Sequence, residues 1–179
     1  MTNDTDAIEV VEYDYSWQEQ FQQYASNLGR VLDKLAMSIE HIGSTSVVGL
    51  AAKPIIDIDV VISSRLVLKE VIDKLDSINY VHQGNLGILG REAFMWPEAT
   101  RRHHVYVCSV DTPNLHDHLI FRDYLRTHPE VIQAYSELKR KLALKYRNNR
   151  DGYTNSKTEF INSILAKART EYGFNVLQP

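Results

Sequence analysis

Residues 41–60 read HIGSTSVVGLAAKPIIDIDV: a glycine-serine turn and then, after Pro54, an Asp-x-Asp pair set among β-branched residues. Alternate residues of a strand share a face, so Asp57 and Asp59 point one way while Ile56, Ile58 and Val60 point the other. Strands disfavour aspartate, and two carboxylates on one face repel unless a cation lies between them. Salt bridging at a sheet edge is the structural account of such a pair. Divalent-metal binding is the functional one, with hard carboxylate oxygens holding Mg²⁺ or Mn²⁺ against substrate phosphates, and the apolar setting favours it. Gly43-Ser44 supplies the other half of the signal. A glycine at a strand end, followed by Ser/Thr and a short helix, leaves backbone N–H groups unpaired in a corner suited to phosphate oxygens. The twelve residues between Ser44 and Asp57 let the chain cross the sheet edge and return in a neighbouring strand. Corner and carboxylates are thereby expected at one end of one sheet.

The flanking sequence extends this into an α/β (α+β) fold. A Ser16-x-x-Glu19 capping box and the spacing of Trp17, Phe21, Tyr24, Leu28, Leu32 and Leu35 predict a helix over 16–36. Residues 37–42 read as a strand, 45–52 as a turn or two of helix, and 55–62 as the strand opened by Pro54. Ser63 and Ser64 are N-cap types ahead of a helix carrying Leu68, Val71, Ile72 and Leu75. Further strands are expected at 80–82, at 92–96 with a stop at Pro97, and at 103–110, where His104, Tyr106 and Cys108 share a face. The glycine-punctuated loop GNLGILG, with Arg91 at its exit, separates the first two. Helices follow at 115–126, from Pro129 to Tyr146, and from a Ser156-x-x-Glu159 box onward. The expectation is a mixed β-sheet flanked by helices with a C-terminal helical part, in one domain over 1–179: an α/β core at 1–112 and a helical part at 113–179.

With 179 residues and 44% hydrophobic content, the chain can bury one real core. The acidic opening MTNDTDAIEVV lacks the basic and apolar regions of a secretory signal and no long apolar run occurs, so a cytoplasmic protein without membrane association is expected. The single cysteine, Cys108, excludes an intrachain disulfide and a cysteine-built zinc site. Residues 1–100 carry 7 Lys/Arg against 15 Asp/Glu, a charge of −8, whereas residues 101–179 carry 13 against 8, a charge of +5. Six basic residues and no acid fall between 139 and 150: Lys139, Arg140, Lys141, Lys145, Arg147 and Arg150. A solvated helix face accounts for most of such a run; a positive wall opposite the aspartates, as a polyphosphate requires, is the sharper reading. Nucleic-acid binding is disfavoured, because the chain is acidic overall and the run has no interleaved aromatic platform apart from Tyr146.

Two histidine clusters bear on the site. His104 falls on the strand expected near the aspartates and faces an acidic partner if the sheet closes that way. His116-Asp117-His118 invites a metal reading but begins an amphipathic helix, where adjacent residues point apart.

These motifs together resemble the GrpB family, within the polymerase-β-like nucleotidyltransferase superfamily. The resemblance runs through Tyr13-Asp14-Tyr15-Ser16-Trp17, EHIGSTSVVGLAAKPIIDIDV (40–60), YVHQG (80–84), GILGR (87–91), RHHVYV (102–107), HLIFRDYLRTHP (118–129), AYSELKRKLA (134–143) and YTNSKTEFI (153–161). It implies a nucleotidyltransferase-like core in which Gly43 and Ser44 contact the triphosphate. Asp57 and Asp59 would hold Mg²⁺ or Mn²⁺, and a nucleotidyl group would pass from a nucleoside triphosphate to an unknown acceptor. Lys53, Arg91, Arg122, Lys139 and Lys157 lie inside family-like motifs and are the expected phosphate partners. Active superfamily members usually add a third carboxylate from a neighbouring strand; here that strand offers His104 and Tyr106, with His104 the candidate third catalytic group. Imidazole is a softer ligand than carboxylate, so a non-catalytic nucleotide-binding or accessory protein is the alternative. Related domains fused to a coenzyme A biosynthesis kinase accord with that alternative.

Overall fold

In α1 (Ser16–Leu32), Trp17, Phe21, Leu28 and Leu32 recur on one stripe and are buried, so the helix lays that stripe on a sheet. The computed structural model describes residues 7–96 and 103–173. After a 3-10 turn at Asp33–Leu35 come β1 (Ser38–Ile42), β2 (Ile56–Ile62), α2 (Leu68–Asp76), β3 (Val81–His82), β4 (Arg91–Met95) and β5 (His103–Ser109). Four helices close the order: α3 (Pro113–Thr127), α4 (Pro129–Lys145), α5 (Arg150–Asn155) and α6 (Thr158–Glu171). The sheet has the order β1-β2-β5-β4-β3, with β2 and β5 parallel and every other neighbour antiparallel.

Each face of the sheet has its own cover. Ile56, Ile58, Val60, Val105 and Val107 point to the α1/α2 side and are at most 1% exposed, each contributing about 1.5–3 kcal/mol by burial. On the other face Val61 and Cys108 pack against Leu115 and Leu119 of α3. The segment after the glycine-serine turn joins a separate cluster, where Val47 and Leu50 sit among Tyr124, Leu125, Tyr135 and Ile164 of α3, α4 and α6. Ala51 N–H donates to Ser136 Oγ at 3.1 Å, fixing that segment to α4. No helix among the described residues is long and apolar enough to cross a membrane.

Local departures from the expected elements have physical causes. Residues 45–52 do not form a helix: a 3-10 turn at Ser44–Ser46 gives way to extended backbone at Val47, and Gly49 takes φ +84°. The first helix is capped from outside, with Ser16 N–H donating to Asp14 Oδ1 at 2.8 Å, and Ser16 does not act as a capping-box residue. Ser64 does cap, accepting the Leu66 N–H. Ser156 does not cap either: α5, unforeseen, occupies 150–155, capped by Asn149 accepting from Gly152 N–H. The expected stop at Pro97 lies outside the described residues.

The corner is braced from β1. His41 stacks on Phe21 with centroids 4.6 Å apart, and its Nε2 lies 3.0 Å from Thr45 Oγ1. Thr45 gives its one hydroxyl proton to Ile55 O at 3.2 Å, so Nε2–H is the donor to Thr45. Burial, with the Arg126 charge adding to it, pushes the His41 pKa down to about 4. The unfolded ring titrates near 6.5, so the unfolded chain binds the extra proton between the two values. Stability is therefore complete above about pH 6.5 and falls as pH drops toward 4, by on the order of 3 kcal/mol for this residue. Urea denaturation across that range should show the loss, and His41→Phe should flatten this part of the profile.

Candidate functional site

Parallel pairing of β2 with β5 sets Asp57 beside His104 and Asp59 beside Tyr106, and residues opposite one another in register share a face. The four side chains therefore stand together on the α3 side of the sheet. Gly43, at the end of β1, has φ +68°, and a Cβ there would lie 2.5 Å from Asp57 Oδ2. Glycine is required on both counts, and its lack of a side chain seats the turn directly on the carboxylate.

Each aspartate is held by an imidazole. An ionised carboxylate can only accept, so His104 Nδ1–H donates to Asp57 Oδ1 at 2.9 Å and His118 Nδ1–H donates to Asp59 Oδ2 at 2.7 Å. Asp59 is fully buried, and its second oxygen, Oδ1, is buried without a hydrogen-bond partner among the described residues. Among the described residues, no group of three or more His, Cys, Asp or Glu side chains converges as a metal cluster. Tyr106, beside Asp59 on β5, is a phenol whose pKa burial pushes up to about 12, the Asp57 charge adding to the effect.

Cations and aromatic rings close the opposite wall. Lys139 is 2% exposed and donates from Nζ to Ser44 Oγ at 3.0 Å, with Nζ 4.5 Å from the Tyr135 ring centroid. Burial, then the nearby Lys157 and Arg140 charges, hold its pKa well below the ordinary lysine value. Lys157 Nζ lies 4.2 Å over the Tyr153 ring, and burial with the Lys53 charge lowers its pKa to about 8. These groups, with Lys53 and Arg91, line one cavity of about 500 Å³ that also takes in Gly43, Ser44, Asp57, His104 and His118. That volume is on the scale of a small-molecule site.

The structure thus gathers Gly43, Ser44, Lys53, Asp57, Arg91, His104, Lys139 and Lys157 around one space, with Asp59 beneath it. It does not bring Arg122 there. That guanidinium donates to Glu40 Oε2 (2.9 Å), His41 O (3.2 Å) and Asp123 (2.7 Å), so its charge is spent bracing α3 against β1. The basic run divides similarly: Lys139 turns inward, while Arg140 pairs with Glu12 on the surface.

His118 was not foreseen. The His-Asp-His triplet does diverge, His116 going to Val110 O and Asp117 to Arg169. Yet His118 stands three residues after Leu115 and three before Phe121, on the inward stripe of α3, and that spacing was the available signal.

Comparison with known proteins places this chain in a family. The family model described as GrpB protein matches residues 7–167. UPF0157 protein YqkA of Bacillus subtilis (strain 168) is 33% identical over 162 residues, which are 90% of this chain and 47% of that protein, so the chain spans about half its length. The crystal structure of conserved protein GrpB from Enterococcus faecalis superposes with a TM-score of 0.84 at 36% identity, covering 92% of this chain and 99% of that one. Cid1 poly(U) polymerase, solved with MgGTP bound, gives a TM-score of 0.52 at 13% identity over 74% of this chain and 44% of that one; the likeness is one of fold, that of the nucleotidyltransferases. The chain belongs to the GrpB protein family.

Proposed function

We propose that the protein is a cytoplasmic metal-dependent nucleotidyltransferase that moves a nucleotidyl group from a nucleoside triphosphate to an acceptor. One observation carries this reading: Gly43-Ser44, Asp57 and the unshielded cations Lys139 and Lys157 share a single cavity, with Asp59 buried beneath it, on a nucleotidyltransferase fold. In it, Ser44 and the turn after Gly43 receive the triphosphate, and Lys139 and Lys157 neutralise the pyrophosphate that leaves. Both lysines are held over aromatic rings with no carboxylate bonded to them among the described residues, so an arriving phosphate displaces no ion pair.

The residues present fit a divalent cation. Asp57 and Asp59 offer hard oxygens on one face, and the buried, donorless Oδ1 of Asp59 is an acceptor whose desolvation is otherwise uncompensated. Asp57 and Asp59 are the residues that would hold Mg²⁺ or Mn²⁺, and a cation bound there supplies charge neutralisation and Lewis-acid polarisation at the phosphate. His104 and His118 orient the two carboxylates by holding one oxygen of each.

A second reading is a nucleotide-binding protein without turnover. It is favoured by β5, which sets His104 and Tyr106, and no carboxylate, beside Asp57 and Asp59. Release of pyrophosphate on incubation with each triphosphate separates the two readings.

Isothermal titration of ATP, GTP, CTP and UTP in the presence of Mg²⁺ or Mn²⁺ should show saturable binding of at least one. Absence of binding to all four, with the circular-dichroism spectrum intact, rejects both readings. Asp57→Asn combined with Asp59→Asn should abolish the divalent-dependent part of the affinity while leaving thermal stability equal or higher, since the carboxylate repulsion is removed. Lys139→Met keeps the buried volume and removes the charge-assisted contact, which is worth about 1.5–3 kcal/mol, so the nucleotide Kd should rise roughly 10- to 100-fold. Because protonated Lys157 is the form that binds phosphate, nucleotide affinity should weaken as pH rises through about 8 and hold steady below it.

A further inference from the structure

The cations of the cavity do not form one group. Lys139 is bonded to Ser44 at the β1 end, and Lys157 sits over Tyr153 on the same helical wall. Arg91 opens β4, three strands away from β1 across the order β1-β2-β5-β4, a span of about 14 Å at the usual strand spacing. Asp57 and His104 lie between. A triphosphate seated on Gly43, Ser44 and Lys139 occupies the near side of the aspartates and leaves Arg91 on the far side.

Arg91 is built to receive something. Its guanidinium lies 4.3 Å over the Tyr106 ring, which fixes the plane without using the N–H donors. Nε is buried with no hydrogen-bond partner, and among the described residues the side chain makes no ion pair. The adjacent Glu92 cannot serve, since it faces the other side of the sheet and is held by Arg65 (2.7 Å) and His82 (2.8 Å). The approach to Arg91 is anchored as well. Gly90, at φ +82°, is packed so closely on Thr112 that a Cβ would lie 3.0 Å from its Cγ2, and Thr112 Oγ1 donates to Gly90 O. A guanidinium fixed over a ring, with Nε buried and unpartnered, is matched by a planar or tetrahedral oxyanion.

We infer that the acceptor of the nucleotidyl group is a small molecule bearing a phosphate or carboxylate, and that Arg91 binds this anion. The size follows from the cavity, whose volume of about 500 Å³ is on the scale of a small-molecule site. The inference rests on the transfer reading above.

The test uses the full chain saturated with a non-hydrolysable nucleoside triphosphate analogue and divalent cation, so that the triphosphate lysines are already occupied. Inorganic phosphate, followed by ³¹P line broadening, and acetate, followed by saturation-transfer difference, are then titrated. Binding of either probe to the loaded wild-type protein, weakened about tenfold or more in Arg91→Gln and partly in Tyr106→Leu, with the analogue's Kd in Arg91→Gln within about twofold of wild type, is the expected result. Three outcomes overturn it: neither probe binds the loaded protein, Arg91→Gln leaves probe binding unchanged, or Arg91→Gln weakens the analogue itself as Lys139→Met does. Failure of the wild-type protein to bind any analogue is read first and rejects the transfer reading, taking this inference with it.

Discussion

The parallel hydrogen-bond ladder between β2 and β5 is the constraint on which the site depends. A shift of β2 by one residue in that register would turn Asp57 and Asp59 into the α1/α2 core and bring Ile56, Ile58 and Val60 to the cavity. The apolar residues on the far face make such a slip prohibitive, since several fully buried side chains would be lost at once. Core packing on one side of the sheet thus holds the chemistry in place on the other. The glycine-serine corner is locked to the same ladder through Gly43, whose backbone touches Asp57, and through the His41–Thr45–Ile55 chain of hydrogen bonds.

The second organising feature is the balance of charge within the cavity. Two aspartates with one residue between them in a strand would repel, and here each is steadied by an imidazole from a different element, His104 from β5 and His118 from α3. The lysines opposite lie over aromatic rings, Lys139 buried and Lys157 half-buried, and are not paired with the aspartates by hydrogen bonds. Positive and negative groups are therefore kept apart across the open volume. That separation leaves both sets available to a ligand that itself carries charge.

Much of this was legible in the chain. The alternation of residues 56–60, the glycine at a strand end and the return crossing to Asp57 all follow from backbone geometry, and all are found where the sequence puts them. What was not legible depends on long-range contacts. Arg122 has the same motif context as Lys139, but Glu40, 82 residues away, claims it, and no local pattern reveals a partner at that distance. His118 was hidden for the opposite reason: its neighbours His116 and Asp117 drew the reading to the triplet, whereas helical periodicity from Leu115 singled out the third member. The caps failed where competitors existed, since Asp14 lies two residues closer to the chain start than Ser16, and α5 already occupies the approach to Ser156.

The cavity is written in two widely separated parts of the chain. Gly43, Ser44 and Asp57 come from β1's end and from β2, and Lys139, Tyr153 and Lys157 arrive from α4, α5 and the start of α6. Between the two parts lie the packing of Val47 and Leu50 among those helices and a small number of polar ties. A bound polyanion would bridge sheet and helices directly, so its free energy of binding adds to their docking energy by mass action. The pocket is thus also a clasp, and the two halves of the molecule gain cohesion whenever it is filled.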